Sequence, residues 1–166
     1  MRKTSAIIGS AVFLLIAPGF VTALVPWWIT HWRVEAPFFG LPFVRVIGAV
    51  LAGVGVIGLL DSFVRFALQG LGTPAPVLPT RHLVVTGLYN YVRNPMYVAV
   101  VMTIIGQAMI LGSVRLLEYG ALVWLLAHVF VITYEEPALR STFGTEYEAF
   151  FAGVPRWIPR VTRWRA

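Results

Sequence analysis

Cysteine is absent from all 166 residues. Disulfides, Cys-based zinc sites and thiol catalysis are therefore excluded. Charge is scarce: Asp, Glu, Lys and Arg make up 12% of the chain, against the ~25% usual in a water-soluble domain. A chain so poor in charge cannot cover a globular surface with polar groups, so lipid must be the solvent for much of it. The motifs of soluble nucleotide and hydrolase sites are missing too. There is no Gly-x-Gly-x-x-Gly turn after a strand, no Walker loop, no His-Glu-x-x-His and no serine nucleophile elbow. Internal repeats and low-complexity segments are also lacking.

What is abundant is apolar: 58% of the residues are hydrophobic, and the formal net charge is +6. Beside long apolar runs, that positive excess points to anionic lipid head groups and membrane topology rather than to nucleic acid. The first run extends from Ser5 to about Val25, follows Arg2 and Lys3, and ends at Pro26-Trp27-Trp28. It has the ~20 residues that span a bilayer, and the Trp pair suits an interface. A signal peptide cleaved near Val21-Thr22-Ala23 is the competing reading. The second run goes from about Phe43 to Leu68. Gly48, Ala52 and Gly55 fall on one face of it, a small-residue stripe expected to pack against the first helix.

A polar, Pro-rich stretch from Gln69 to Arg93 follows, in which prolines preclude a long helix. The third helix starts at Asn94-Pro95, with Asn suited to the N-cap and Pro to the first helical position. It runs to about Leu111. Gly112-Ser113 turns the chain, and a fourth helix from about Leu116 to Tyr134 completes an antiparallel hairpin. After Glu135-Glu136 the chain becomes amphipathic. Pro137 opens a short helix that Gly144 ends. Thr145 and Glu148 have capping-box spacing, with Tyr147, Phe150 and Phe151 on one face. The fold expected is an all-α polytopic membrane protein of about four transmembrane helices with a cytosolic amphipathic C-terminal segment. It forms a single membrane domain over residues 1–166: an N-terminal helix pair to about residue 70, then the hairpin, loop and tail.

Orientation follows from the basic residues. One side carries Arg2, Lys3, Arg65, Arg81, Arg93, Arg140, Arg156, Arg160, Arg163 and Arg165, and the other only Arg33, Arg45 and Arg115. By the positive-inside rule the richer side is the cytosol, and both termini lie there. The start of helix three and the end of helix four share that face. At the first, Tyr89, Tyr91, Arg93, Asn94 and Tyr97 cluster around free first-turn N–H groups, which suits a carboxylate or phosphate. The same residues also suit a capped membrane helix with interfacial tyrosines. At the second, Glu135 and Glu136 oppose the helix dipole and need cations. Arg140, Arg156 or a cationic ligand would supply them. His128 lies about 9 Å into the bilayer from Tyr134 by helical rise. It serves either substrate contact or packing. Gln107 is too deep to pair with it. Asp61 and Arg65, spaced i and i+4, pair with each other.

These residues also resemble a known family. Gly72-Thr73-Pro74-Ala75-Pro76, Leu83-Val84-Val85-Thr86-Gly87-Leu88-Tyr89 and Tyr91-Val92-Arg93-Asn94-Pro95-Met96-Tyr97 resemble the isoprenylcysteine carboxyl methyltransferases and their phospholipid methyltransferase relatives. So do Glu135-Glu136-Pro137-Ala138-Leu139, Phe143-Gly144, Tyr147 and Val154-Pro155-Arg156-x-x-Pro159. The likeness covers roughly the C-terminal 95 residues, and the first two helices carry none of it. It implies a membrane methyltransferase that uses S-adenosylmethionine and no metal, with its cofactor pocket on the cytosolic side; the basic, Pro-rich style of the chain points to a bacterial inner membrane. Carried over by position, Tyr89, Arg93, Asn94, Pro95 and Tyr97 line that pocket together with Glu136. Glu135, Glu136, Arg140 and Arg156 belong to the catalytic region. Carboxyl methyltransferases of the family commonly have His where this chain has Asn94, whereas Arg-Asn-Pro is common in the broader bacterial group. The expected acceptor is a membrane lipid or lipid-linked group, its apolar part near Met102, Leu126 and His128. The rival readings are an NADPH-dependent membrane lipid reductase and a non-enzymatic four-helix protein.

Overall fold

The computed structural model describes residues 16–65 and 83–164. Arg2, Lys3, the start of the first apolar run, most of the Gln69–Arg93 stretch including Arg81, and Arg165 lie outside the described residues. Within them the protein is all helical. We number the helices α1 (Ile16–Thr30), α2 (Phe43–Arg65), α3 (Pro95–Leu111), α4 (Val114–Phe143) and α5 (Thr145–Gly153). Helices α2 and α4 are long and apolar enough to cross a membrane, while α1 and α3 are shorter apolar helices. In α2 and α4 only 22% and 17% of the apolar window is buried, which is not how a soluble protein treats its core helices. Val50, Val54 and Ile57 of α2 and Leu122, Leu125 and Leu126 of α4 are all exposed, an apolar surface suited to lipid.

The small-residue stripe of α2 packs on α3, not on α1 as the sequence suggested. Helix α3 carries its own small residues, Ala99, Thr103 and Gly106, so two narrow faces meet. A Cβ on Gly106 would lie 2.5 Å from the Ala52 nitrogen and 2.6 Å from the Gly48 oxygen. One on Gly55 would lie 2.5 Å from Thr103 Oγ1. The backbones therefore approach as closely as the absence of side chains allows. Ile104, Ala108, Leu111 and Leu116 then complete a fully buried centre.

Helices α1 and α4 each widen just before an interior proline. A π-turn over Phe20–Leu24 precedes Pro26, and another over Val131–Glu135 precedes Pro137. Proline has no N–H and its ring collides with the preceding turn; the wider turn makes room for it. Carbonyls left without a helical donor need partners in lipid. In α1 they come from the hairpin: Gln107 Nε2 donates to the Thr22 oxygen at 2.8 Å and the Tyr119 hydroxyl to the Val21 oxygen at 3.0 Å. The second π-turn corrects the sequence reading of α4, which continues past Glu135 to Phe143. The capping box also fails. Gly144, at φ 52°, is the N-cap of α5, and no side chain caps that helix.

At the end of the bundle that carries Arg33, Arg45 and Arg115, the segment before α2 folds over the hairpin turn. The Glu35 N–H donates to the Leu111 oxygen at 2.7 Å, and Arg45 Nη2 donates to the Glu35 oxygen at 2.6 Å. Gly112 adopts φ 73°, and any Cβ there would strike the Ala36 carbonyl. The opposite end gathers the end of α2, the start of α3, the latter part of α4 and the tail.

Candidate functional site

The mouth at that opposite end is built on the irregular tail. Residues 154–164 run antiparallel to residues 90–94 through backbone bonds: Arg93 N–H to Pro155 oxygen at 2.9 Å, Arg160 N–H to Tyr91 oxygen at 2.9 Å and Trp164 N–H to Asn90 oxygen at 3.1 Å. Asn94 occupies the N-cap place of α3, but its side chain caps nothing. Its amide donates instead to the Arg156 oxygen at 3.1 Å. The residue expected to start a helix thus also fastens the tail. Beneath the tail, Tyr147, Phe150 and Val154 form a second buried cluster with Leu83 and Val85 against it.

Glu136 is the hub. Its carboxylate accepts from Arg156 Nε at 2.7 Å and Nη2 at 2.9 Å, and Arg93 Nη1 lies 3.1 Å away. The Glu136 and Arg93 side chains are each only 8% exposed. Two guanidinium groups against one carboxylate leave a formal excess of one positive charge. Hydrogen bonding to Glu136 raises the Arg156 pKa above its ordinary value. The Tyr147 hydroxyl, beside the same group, titrates above its usual range because it is buried, with the Glu136 charge adding to the effect. Arg140, expected at this centre, pairs elsewhere: Nε lies 2.9 Å from Glu148 Oε1, on a largely exposed surface. It still reaches the site's edge, since its guanidinium and that of Arg93 both lie over the Phe151 ring, at 4.3 and 3.9 Å.

Glu135 faces a different partner. The Tyr97 hydroxyl donates to its Oε2 at 2.9 Å, which joins the start of α3 to the latter part of α4 as the antiparallel hairpin requires. Tyr89, buried in a single turn over Gly87–Asn90, bonds to Ser62 and feels both Glu135 and the Asp61–Arg65 pair; burial raises its pKa. That pair forms as the spacing predicts, with two contacts of 2.8 Å. Tyr89 thus lies within electrostatic reach of both the Asp61–Arg65 pair and Glu135.

The three residues expected to seat an acceptor do not share one place. Met102 lines a groove between α2 and α3. Leu126 points outward at 60% exposure. His128 stacks on Trp124 at 5.3 Å, and its Nδ1 accepts from Trp157 Nε1 at 2.9 Å. Gln107 is committed to α1, so it does not pair with His128. Trp157 is the residue that sequence reasoning missed. It binds His128 and sits edge-on to Tyr97 at 6.5 Å, and its only signal was adjacency to Arg156.

A family model described as phospholipid methyltransferase matches residues 43–146. The chain belongs to the phospholipid methyltransferase family. The match takes in α2, so the family likeness reaches further toward the N-terminus than the sequence motifs alone. It covers Arg93, Tyr97, Glu135 and Glu136, but ends before Arg156. Among curated relatives, the protein-S-isoprenylcysteine O-methyltransferase of Schizosaccharomyces pombe is 39% identical over 48% of this chain and 34% of its own length. Protein-S-isoprenylcysteine O-methyltransferase B of Arabidopsis thaliana is 26% identical over 81% of this chain and 61% of its own length. The chain thus spans about a third and about three-fifths of these two family members.

Proposed function

We propose that the chain transfers a methyl group from S-adenosylmethionine to a lipophilic acceptor at the mouth formed by α3, α4 and the tail. The observation that carries this reading is the convergence of Glu135, Glu136, Arg93 and Arg156 there, on a segment that the methyltransferase family match largely covers. The residues fit such a cofactor. Arg93 Nε is buried without a hydrogen-bond partner, the surrounding triad has a net positive charge, and no side chain caps the first-turn N–H groups of α3. A carboxylate is suited to that place. Glu135 accepts one hydrogen bond from Tyr97 and has capacity for an ammonium or hydroxyl. When bound, the cofactor supplies an electrophilic methyl on a sulfonium. The protein's part is to align the acceptor and exclude water, while Tyr97 and Trp157 offer ring faces to a cation. The relatives' acceptors are lipid-modified cysteines by name; here the acceptor is a membrane lipid or lipid-linked group.

Equilibrium binding to detergent-purified protein tests this directly. Labelled S-adenosylmethionine should bind, and NADPH should not. Binding of NADPH alone would favour a reductase, and binding of neither a non-enzymatic protein.

In this reading the chain is one membrane domain of four spans in a bacterial inner membrane, with the mouth and both termini in the cytosol. Its support is the arginine count on the mouth side, and the gathering of Arg33, Arg45 and Arg115 at the opposite end. Reporter fusions after Arg2 and after Arg165 should both report cytosol. A periplasmic C-terminus would overturn the orientation and favour a cleaved leader.

A further inference from the structure

Helices α2 and α3 touch along their small residues but splay toward the mouth, leaving a groove of about 740 Å³ open to the surface. Gly58 and Ala99 lie at its floor; a Cβ on Gly58 would just touch the Ala99 methyl at 3.5 Å. Val54, Ile57, Val98 and Met102 form apolar walls. From Pro95 to Met102 the groove follows α3 for about 10 Å by helical rise, roughly two-thirds of the depth of one leaflet. Asp61, Arg65 and Arg163 stand at its mouth. Arg65 is held in place. Asp61 grips it through two contacts of 2.8 Å, and it lies flat against Gly87, where any Cβ would collide with its guanidinium. Gly87 also needs the left-handed backbone, at φ 57°, that Gly alone adopts readily. Arg163 makes no ion pair among the described residues.

We propose that this groove seats one anionic glycerophospholipid of the mouth-side leaflet, its phosphodiester on Arg163 beside the Asp61-held Arg65 and one acyl chain along Val54, Ile57, Val98 and Met102. Charge complementarity selects the occupant. Two guanidinium groups against one carboxylate leave a positive excess at head-group level, directly above walls that only a hydrocarbon chain matches. A soluble anion would satisfy the arginines and leave the walls unmatched. The site is distinct from the Glu135–Glu136 mouth, although the Thr86–Asn90 loop borders both, and it does not depend on the methyl-transfer reading.

The test uses full-length protein in phosphatidylcholine nanodiscs doped with a phosphatidylglycerol bearing a mid-chain diazirine. After illumination, label should concentrate on Val54, Ile57 and Met102 rather than on Val56 and Leu60, which are exposed at similar depth on other faces of α2. Met102→Trp should reduce groove labelling several-fold. Arg163→Ala, at an exposed position, should raise the lipid fraction needed for half-labelling several-fold without altering the fold. Unlabelled phosphatidylglycerol should compete, and inorganic phosphate should not. Even labelling of all exposed α2 positions, or labelling indifferent to both variants, would show ordinary boundary lipid and overturn the proposal. Competition by inorganic phosphate alone would reduce the site to an anion contact and overturn it equally.

Discussion

Glu136→Gln is expected to destabilise the protein by about 3–5 kcal/mol, the scale on which breaking a buried ion pair from one side operates. The carboxylate is 8% exposed and faces two arginines. Glutamine keeps one acceptor but removes the charge that lets two guanidinium groups lie together. Repulsion then acts in a region with little water to screen it. The tail should loosen first, because the Arg156 side chain reaches the bundle through Glu136. Denaturant unfolding in mild detergent measures the loss, and cofactor binding should weaken with it. A second substitution supplies the control. Arg156→Gln added to Glu136→Gln removes one of the repelling charges and should recover part of the stability, a coupling that a double-mutant cycle reads directly. A single-mutant cost below about 1 kcal/mol is what a solvent-exposed pair gives, and that result would remove the triad from the account of this mouth.

The sequence reading placed Glu136 in a ligand site. The structure adds that the same residue pairs with two arginines, one of them on the tail. That difference shows what a sequence conveys. Apolar run length marked the helices, and Gly112-Ser113 marked the hairpin turn. The i, i+4 spacing marked the Asp61–Arg65 pair, since that contact lies within one helix. Antiparallel geometry was enough to bring Tyr97 level with Glu135. Contacts that depend on the path of a distant segment were not legible. A small-residue stripe announces a close neighbour without naming it, so α2 was paired with α1 rather than with α3. Asn94 has the chemistry of a cap, but the passing tail offers its amide a carbonyl. Arg93, Arg140 and Arg156 look equivalent along the chain; only the course of residues 154–164 decides which two meet Glu136. The π-turns were legible only in part, because Pro26 and Pro137 mark a disturbance without saying whether the helix ends or widens.

Glu135 carries the largest expected effect on catalysis, and its size depends on the acceptor. An ammonium head group must lose a proton before its nitrogen can attack, so a base is required; general-base catalysis contributes about 10²–10⁴-fold. A carboxylate acceptor is already a nucleophile and needs only positioning. In the proposed reading Glu135 takes the first task. Its carboxylate receives Tyr97 at 2.9 Å and lacks the arginine contacts that occupy Glu136, so it retains capacity to take a proton. Glu135→Gln should therefore lower kcat on a primary-amine lipid by two orders of magnitude or more. The rise of rate with pH attributable to that base should vanish as well. On a lipid carboxylate the same change should alter kcat only a few-fold, through lost alignment. Tyr97→Phe serves as the comparison. It removes one hydrogen bond and leaves the carboxylate in place, so it should cost far less than Glu135→Gln on the amine and a similar small amount on the carboxylate. Purified enzyme, labelled cofactor and two lipids that share a tail but differ in head group make the measurement. Equal losses on both head groups, with the pH profile unchanged, would exclude Glu135 as a base and leave it the role of holding the cofactor.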